Sequence, residues 1–196
     1  MTELALNKNN TALLIADFYA DMMSRLPHAV DRRVVENTQA LQKAARDAGI
    51  LVCYCATVFR PGYVEISERN KTFSQRKHSG QPAVADPVQL IHPSVRPAAG
   101  EVVVGKHRVN AFHGTDLDMV LRANDVETLI ILGYATSGVV LSTTRYAADL
   151  DYRLVIVEDC CSDQDPALHD FLTGRIFPRQ AEVVASEAVI RALGVA

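Results

Sequence analysis

Residues 128–140 read TLIILGYATSGVV, and this stretch decides the fold. Segment 128–132 is a continuous apolar run, which is typical of a strand covered on both faces of a sheet. Gly133 ends the run, and a turn of small residues leads into a helical pattern over residues 137–150. A buried strand followed by a tight turn and a helix indicates a parallel sheet with crossover helices.

Short apolar runs of the same kind recur on both sides of this stretch, separated by helical patterns. We therefore predict one α/β domain over residues 1–196, a three-layer α/β/α fold with a six-stranded parallel sheet. The other predicted strands cover 11–16, 50–57, 101–104, 154–157 and 182–184, and the other helices 30–48, 115–123, 166–177 and a last helix ending at Leu193.

Residues 58–100 form a long polar segment between the second and third predicted strands, and its cations include Arg60, Arg69 and Arg76. Long loops in compact domains are usually functional or mobile. Two interpretations remain open: a solvated surface loop, or a lid whose arginines meet an anionic substrate. Arg60 is the preferred contact in the second, because it follows the second strand directly.

Composition excludes several functional classes. The formal net charge of −3 gives no reason to expect nucleic acid or an anionic membrane as a partner. No apolar stretch reaches ~18 residues, and no signal-peptide pattern opens the chain. The four cysteines match neither a zinc site nor a disulfide framework, so we expect a cytoplasmic protein acting on a small molecule.

The carboxyl ends of the predicted strands carry the candidate site, since open parallel sheets bind ligands there. Asp17 ends the first strand, Lys106 follows the third, and the 134–139 turn follows the fourth. If these three strands are neighbours, the three features converge. The amides of the turn lie at a helix N-terminus and can bind an anion or oxyanion. The alternative interpretation, from sequence position alone, is that Asp17 and Lys106 form a structural ion pair.

Three segments resemble the isochorismatase-like hydrolases, also called the cysteine hydrolase superfamily. They are LLIADFYADM at 13–22, KHRVNAF at 106–112 and GYATSGVVLSTTRYAADLDYR at 133–153. The resemblance implies the six-stranded fold and an Asp–Lys–Cys triad, in which Asp17 and Lys106 match and Val139 occupies the cysteine position. It also implies a cis peptide between Tyr134 and Ala135, with the Ala135 and Val139 amides as oxyanion hole.

Valine cannot be a nucleophile, so the covalent thiol route is closed. We predict hydrolysis of a vinyl ether or C–N bond in a small anionic molecule, without a covalent cysteine. Asp17 serves as acid or base, and Lys106 orients it or binds substrate. The predicted substrate contacts are Arg60, Arg108, Tyr134 and Thr143.

Several alternatives accompany this hypothesis. One is a non-catalytic small-molecule-binding pseudoenzyme of the same fold. Another is that Cys160 or Cys161 substitutes as nucleophile, although buried, inert cysteines are the usual case. Single histidines are scattered along the sequence, so we expect no metal and no cofactor; they are His78, His92, His107, His113 and His169. The resemblance implies a homo-oligomer, a dimer or tetramer.

Overall fold

The computed structural model describes residues 4–194 and contains a six-stranded sheet in the order β3-β2-β1-β4-β5-β6. Every pair of neighbouring strands is parallel. Helices flank the sheet, so the predicted α/β fold with a six-stranded parallel sheet is confirmed. The strands are β1 (Thr11–Ala16), β2 (Leu51–Thr57), β3 (Val102–Lys106), β4 (Thr128–Tyr134), β5 (Arg153–Ser162) and β6 (Glu182–Val184).

The helices follow the strands in the alternating order that the apolar runs predict. They are α1 (Ala20–Arg25), α2 (Pro27–Asp31), α3 (Val34–Asp47), α4 (Lys71–His78), α5 (Leu117–Ala123), α6 (Leu141–Asp149), α7 (Pro166–Phe171) and α8 (Ser186–Ala192). A π-helical turn, Thr136–Val140, leads into α6, and a second, Leu172–Ile176, continues α7.

The central strands form the core because they are apolar along their whole length. All six residues of β1 are buried, and so are the first six residues of β4. Continuous burial of this kind requires cover on both faces of the sheet, which the helices supply. No helix in residues 4–194 is long and apolar enough to cross a bilayer.

Most predicted elements have bounds that differ by a few residues in the structure, and two of them differ more. The helix expected over 30–48 is interrupted, because Arg33 adopts a left-handed conformation with φ of 55° and α3 begins after it. Strand β5 continues past the expected end at residue 157 to Ser162, through residues whose polar side chains concealed the strand.

The segment 58–100 is more ordered than a surface loop. It contains α4, whose first turn is capped by the Asn70 side chain accepting a hydrogen bond from Phe73 N at 3.1 Å. Phe59, Tyr63 and Ile66 form a second, smaller apolar cluster beside the main core. Neither interpretation of this segment included α4, because a polar sequence without apolar periodicity gave no helix signal.

Candidate active site

The candidate site lies at the carboxyl ends of β1, β2, β3 and β4. Asp17 follows β1, and Lys106 is the last residue of β3. The first, third and fourth strands are not consecutive neighbours, because β2 lies between β1 and β3. The two side chains still meet, since Lys106 pairs in register with Thr57 of β2 and reaches past it toward Asp17.

Lys106 and Asp17 form a buried ion pair. The ammonium Nζ lies 2.7 Å from Asp17 Oδ2, and the Lys106 side chain is 0% exposed. Nζ also donates to Thr57 Oγ1 and, at 3.2 Å, to the carbonyl oxygen of Arg108. These acceptors match the three donor hydrogens of an ammonium. All three donor hydrogens of Lys106 are thus used by acceptors within the protein.

The second oxygen of the Asp17 carboxylate is held from β2 and from the start of α1. Thr57 N donates to Oδ1 at 3.0 Å, and the Tyr19 hydroxyl donates to the same oxygen. Burial, together with the negative charge of Asp17, holds the pKa of Tyr19 well above its usual value, so the phenol keeps its proton. The carboxylate is therefore surrounded by donors, an arrangement that suits its ionised form.

Sequence reasoning missed Tyr19. It lies two residues after Asp17 and carries no motif of its own, and only the left-handed backbone of Asp17, with φ of 48°, brings the phenol back over the carboxylate. The positive φ is the local feature that bends the chain out of β1.

The turn after β4 packs directly against the end of β1. Ala16 pairs with Gly133, and a Cβ on Gly133 would lie 1.8 Å from the Ala16 carbonyl oxygen, so only glycine fits there. The Tyr134–Ala135 peptide bond is cis. Within the turn, Gly138 N donates to the Ala135 carbonyl at 3.0 Å. The amide of Ser137 also has a partner in the protein, because Ser137 N donates to Asp163 Oδ2 at 2.7 Å.

A cavity of about 250 Å³, here called the small cavity, connects these parts. Its walls combine the ion pair, the turn and α4, so five of the predicted site residues line the same space: Asp17, Lys106, Tyr134, Ala135 and Val139. The lining residues are Asp17, Tyr19, Thr57, Thr72, Phe73, Lys106, Val109, Tyr134, Ala135, Gly138 and Val139.

The other predicted substrate contacts lie outside this lining. Arg60 pairs with Glu65 at 2.6 Å, and Arg108 donates to the carbonyl oxygens of His107 and Glu65. Thr143 is fully buried, and its hydroxyl accepts from Ala111 N at 3.1 Å. In the described structure these three side chains hold the framework around the cavity.

Asn110 ties the β3–α5 connection to α6. Its amide nitrogen donates to the Ser142 carbonyl at 2.8 Å, and its amide oxygen accepts from Phe112 N at 2.7 Å. The asparagine therefore binds backbone groups on both elements.

A second cavity of about 450 Å³, here called the aromatic cavity, adjoins the first. The two share Tyr19, Thr57 and Phe73. Arg76 lines the aromatic cavity, so the loop arginine that faces this cleft is Arg76 and not Arg60. Arg76 lies one helical turn after Phe73 on α4, so sequence reasoning could have placed it at this cavity only by predicting α4.

The four cysteines, all in the described part of the chain, are buried and none lines the small cavity. Burial raises the pKa of the thiols of Cys53, Cys55 and Cys161 to about 12, and the pKa of Cys160 well above its usual value. A reactive thiolate needs the opposite surroundings. The thiols therefore have the properties of packed core side chains.

Two histidines lie together behind the turn, contrary to the expectation that the histidines are scattered singly. The rings of His28 and His169 are 4.9 Å apart, and Asp170 completes a possible ligand group. Arg32, however, donates to Nε2 of both rings. Burial and this guanidinium lower the pKa of His28 and lower that of His169 to about 4. His28 and His169 therefore fit a pair of neutral rings that accept hydrogen bonds from Arg32. A metal ion bound to the same two rings would have to displace Arg32.

A further cavity of about 640 Å³ lies at the opposite edge of the sheet, among the amino ends of β1 and β2. Its arginine, Arg46, is already bonded to Glu101 at 2.8 Å. Ligands of open parallel sheets bind at the carboxyl ends. We therefore assign the candidate site to the Asp17 side.

Comparisons with known proteins agree with this fold. The isochorismatase domain model matches residues 11–188. The isochorismatase family protein YecD of Escherichia coli O157:H7 is 30% identical over 194 residues, covering 97% of this chain and all of that protein. N-carbamoylsarcosine amidase of an Arthrobacter species is 28% identical over 161 residues, 82% of this chain and 61% of the amidase.

A solved isochorismatase family protein from Burkholderia thailandensis superposes with a TM-score of 0.82 at 27% identity, covering 99% of this chain and all of that one. The family model spans nearly the whole chain, and the structural likeness includes every strand of the sheet. This chain belongs to the isochorismatase family.

Proposed function

We propose that this protein hydrolyses an amide-type C–N bond in a small anionic molecule, with a water activated directly by Asp17 and without a covalent cysteine. The observation that carries the proposal is the Asp17 carboxylate, held by the donors Lys106, Thr57 and Tyr19 at the wall of the small cavity. A relative whose name is N-carbamoylsarcosine amidase supports the choice of a C–N bond.

Asp17 is positioned to act as the general base. Oδ1 accepts from Thr57 N and from the Tyr19 hydroxyl, while Oδ2 accepts from Lys106 alone among the described contacts. A carboxylate oxygen has two lone-pair directions, so Oδ2 keeps one for the proton of a bound water. General-base assistance of this kind contributes about 10²–10⁴-fold to a rate.

The reaction balances with these groups. Water attacks the carbonyl carbon while its proton passes to Asp17 Oδ2, and the carbonyl oxygen becomes an oxyanion that accepts from the amides of Ala135 and Val139. The C–N bond then breaks, and the nitrogen leaves with the proton that Asp17 held. The products are a carboxylic acid and an amine or ammonia, and Asp17 returns to its ionised form.

The surroundings of Asp17 favour amide over vinyl-ether cleavage. A vinyl ether must first receive a proton from the enzyme, so it needs a carboxylic acid at rest. All named partners of the carboxylate donate hydrogen bonds, and Lys106 brings a buried positive charge. Both effects favour the ionised carboxylate, which a base requires.

The hydrocarbon side chain of Val139 supports a mechanism without a thiol step. Val139 lines the small cavity at the start of the helix after β4, where the resemblance expects the cysteine. An isopropyl group supplies no nucleophile, and the four native thiols are buried elsewhere. Direct attack by water requires no nucleophile from the protein.

Turnover of a panel of carbamoyl and acyl amides tests the proposal. Asp17→Asn should lower kcat by about 10³-fold or more, because the amide cannot take the water proton. Asp118→Asn is the matched control, since Asp118 pairs with Arg122 on an exposed helix surface. Iodoacetamide treatment should leave the wild-type rate unchanged. Equal rates for the two variants, or loss of activity on alkylation, would overturn the proposal.

The second candidate function is a binding protein without turnover, favoured by Val139 at the nucleophile position. In that case the panel gives no Asp17-dependent product, although members of it still bind to the wild-type chain. Calorimetric titration of the same amides separates the two functions.

A further inference from the structure

The aromatic cavity and the small cavity adjoin each other. Tyr19, Thr57 and Phe73 line both, so a molecule bound beside Asp17 has the aromatic cavity next to it. The larger volume, about 450 Å³, lies within the usual range of small-molecule sites. The chemistry of its walls therefore bears on what is bound.

The aromatic cavity has a ring-lined wall. The Phe59 ring lies 5.6 Å from that of Tyr63 and 5.5 Å from that of Phe73, centroid to centroid. Phe59 and Tyr63 belong to the second apolar cluster and are buried. The Tyr63 hydroxyl donates to the Gln81 carbonyl at 2.8 Å, which fixes the ring. Rings held in this way suit a flat or branched hydrocarbon group.

Arg76 lines the same cavity and has a neutral hydrogen-bond partner. Arg76 Nη1 donates to Gln81 Oε1, an amide oxygen. Among the described residues, Arg60 pairs with Glu65 and Lys77 with Glu68, whereas Arg76 has no carboxylate partner. Asp21 also lines the cavity, but its side chain is 86% exposed and faces Arg25. The charge of Arg76 is thus available to an anion in the cleft.

We propose that the aromatic cavity binds the far end of the substrate, an aromatic or branched hydrocarbon group that ends in a carboxylate held by Arg76. This inference rests on the proposed function, because it takes the scissile C–N group to lie in the small cavity. The substrate class is then an acyl or carbamoyl amide whose far end carries a separate carboxylate on an aryl-substituted or branched hydrocarbon group. A guanidinium binds a carboxylate through paired hydrogen bonds, which gives specificity as well as affinity.

Binding of three product-like probes to the full chain tests the inference. They are 3-phenylpropanoate, propanoate, which lacks the ring, and 3-phenylpropan-1-ol, which lacks the charge. We expect 3-phenylpropanoate to bind about tenfold or more tightly than either of the others in calorimetric titration. Arg76→Gln should weaken its binding by a similar factor. Arg69→Gln, the same change at an exposed site of the same segment, should leave it unchanged.

Two results would overturn the inference: equal binding of the three probes, or equal Kd values for the Arg76→Gln and Arg69→Gln variants. The probes need no turnover, so failure here differs from failure of the proposed function. If amide hydrolysis depends on Asp17 but Arg76→Gln leaves probe binding unchanged, the inference is wrong and the proposed function stands. Arg76-dependent probe binding, with no hydrolysis of any amide, supports the cavity assignment and removes the proposed function.

Discussion

The buried ion pair predicts a large and specific effect of removing Lys106. In Lys106→Met the Asp17 carboxylate loses its counter-charge in a site where the ammonium is 0% exposed. Breaking a buried pair from one side costs about 3–5 kcal/mol, because a charge stays behind without compensation. In a chain of this size each kcal/mol lowers Tm by about 2–4 °C, so we expect a drop of roughly 6–20 °C.

Urea unfolding followed by circular dichroism measures this loss, with Lys43→Met as the matched control. Lys43 also pairs with an aspartate, Asp47, but its side chain is 78% exposed. Such surface pairs contribute about 1 kcal/mol or less. Adding Asp17→Asn to Lys106→Met should restore part of the stability, since the orphaned charge is removed. A loss no greater than that of the control, or a loss unchanged by Asp17→Asn, would refute the buried-pair reasoning.

Three further predictions concern the rest of the site. Burial and Arg32 lower the pKa of His169 from 6.5 in the unfolded chain to about 4 in the fold, so the unfolded chain binds more protons between these pH values. The free energy of unfolding should therefore fall by up to about 3 kcal/mol as the pH drops from 6.5 to 4. Urea unfolding of His169→Gln should show a flatter pH dependence, whereas His113→Gln, an exposed control, should show the pH dependence of the wild type. The four native thiols should react with Ellman's reagent only after unfolding, and rapid labelling of the folded chain would contradict their burial. Val139→Cys should add one thiol that iodoacetamide modifies in the folded chain near neutral pH, because the cavity supplies Lys106 and the amides of the turn; a new thiol as slow as free cysteine would show that the cavity does not activate sulfur.

The fold could be predicted because its strands are apolar without interruption. The runs at 11–16 and 128–132 are buried on both faces, so their hydrophobicity reports the sheet directly. Asp17 and Lys106 could be found as well, because both lie at strand ends, where parallel sheets expose their functional groups.

The rest of the site depends on contacts that sequence patterns do not encode. Strand order was open, so the position of Thr57 between Lys106 and Asp17 could not be derived. Tyr19 reaches Asp17 only through a left-handed backbone conformation at a non-glycine residue. Helix α4 has no apolar stripe, and without it Arg76 could not be distinguished from Arg60 as the arginine facing the cleft.

Intact-mass spectrometry of the enzyme, acid-quenched during turnover of a hydrolysed amide, tests the central claim most directly. Direct attack by an Asp17-activated water leaves the protein unmodified at every time point, and product accumulates without a burst. A protein mass increased by the acyl or carbamoyl group of the substrate, appearing and decaying as product forms, would contradict the account.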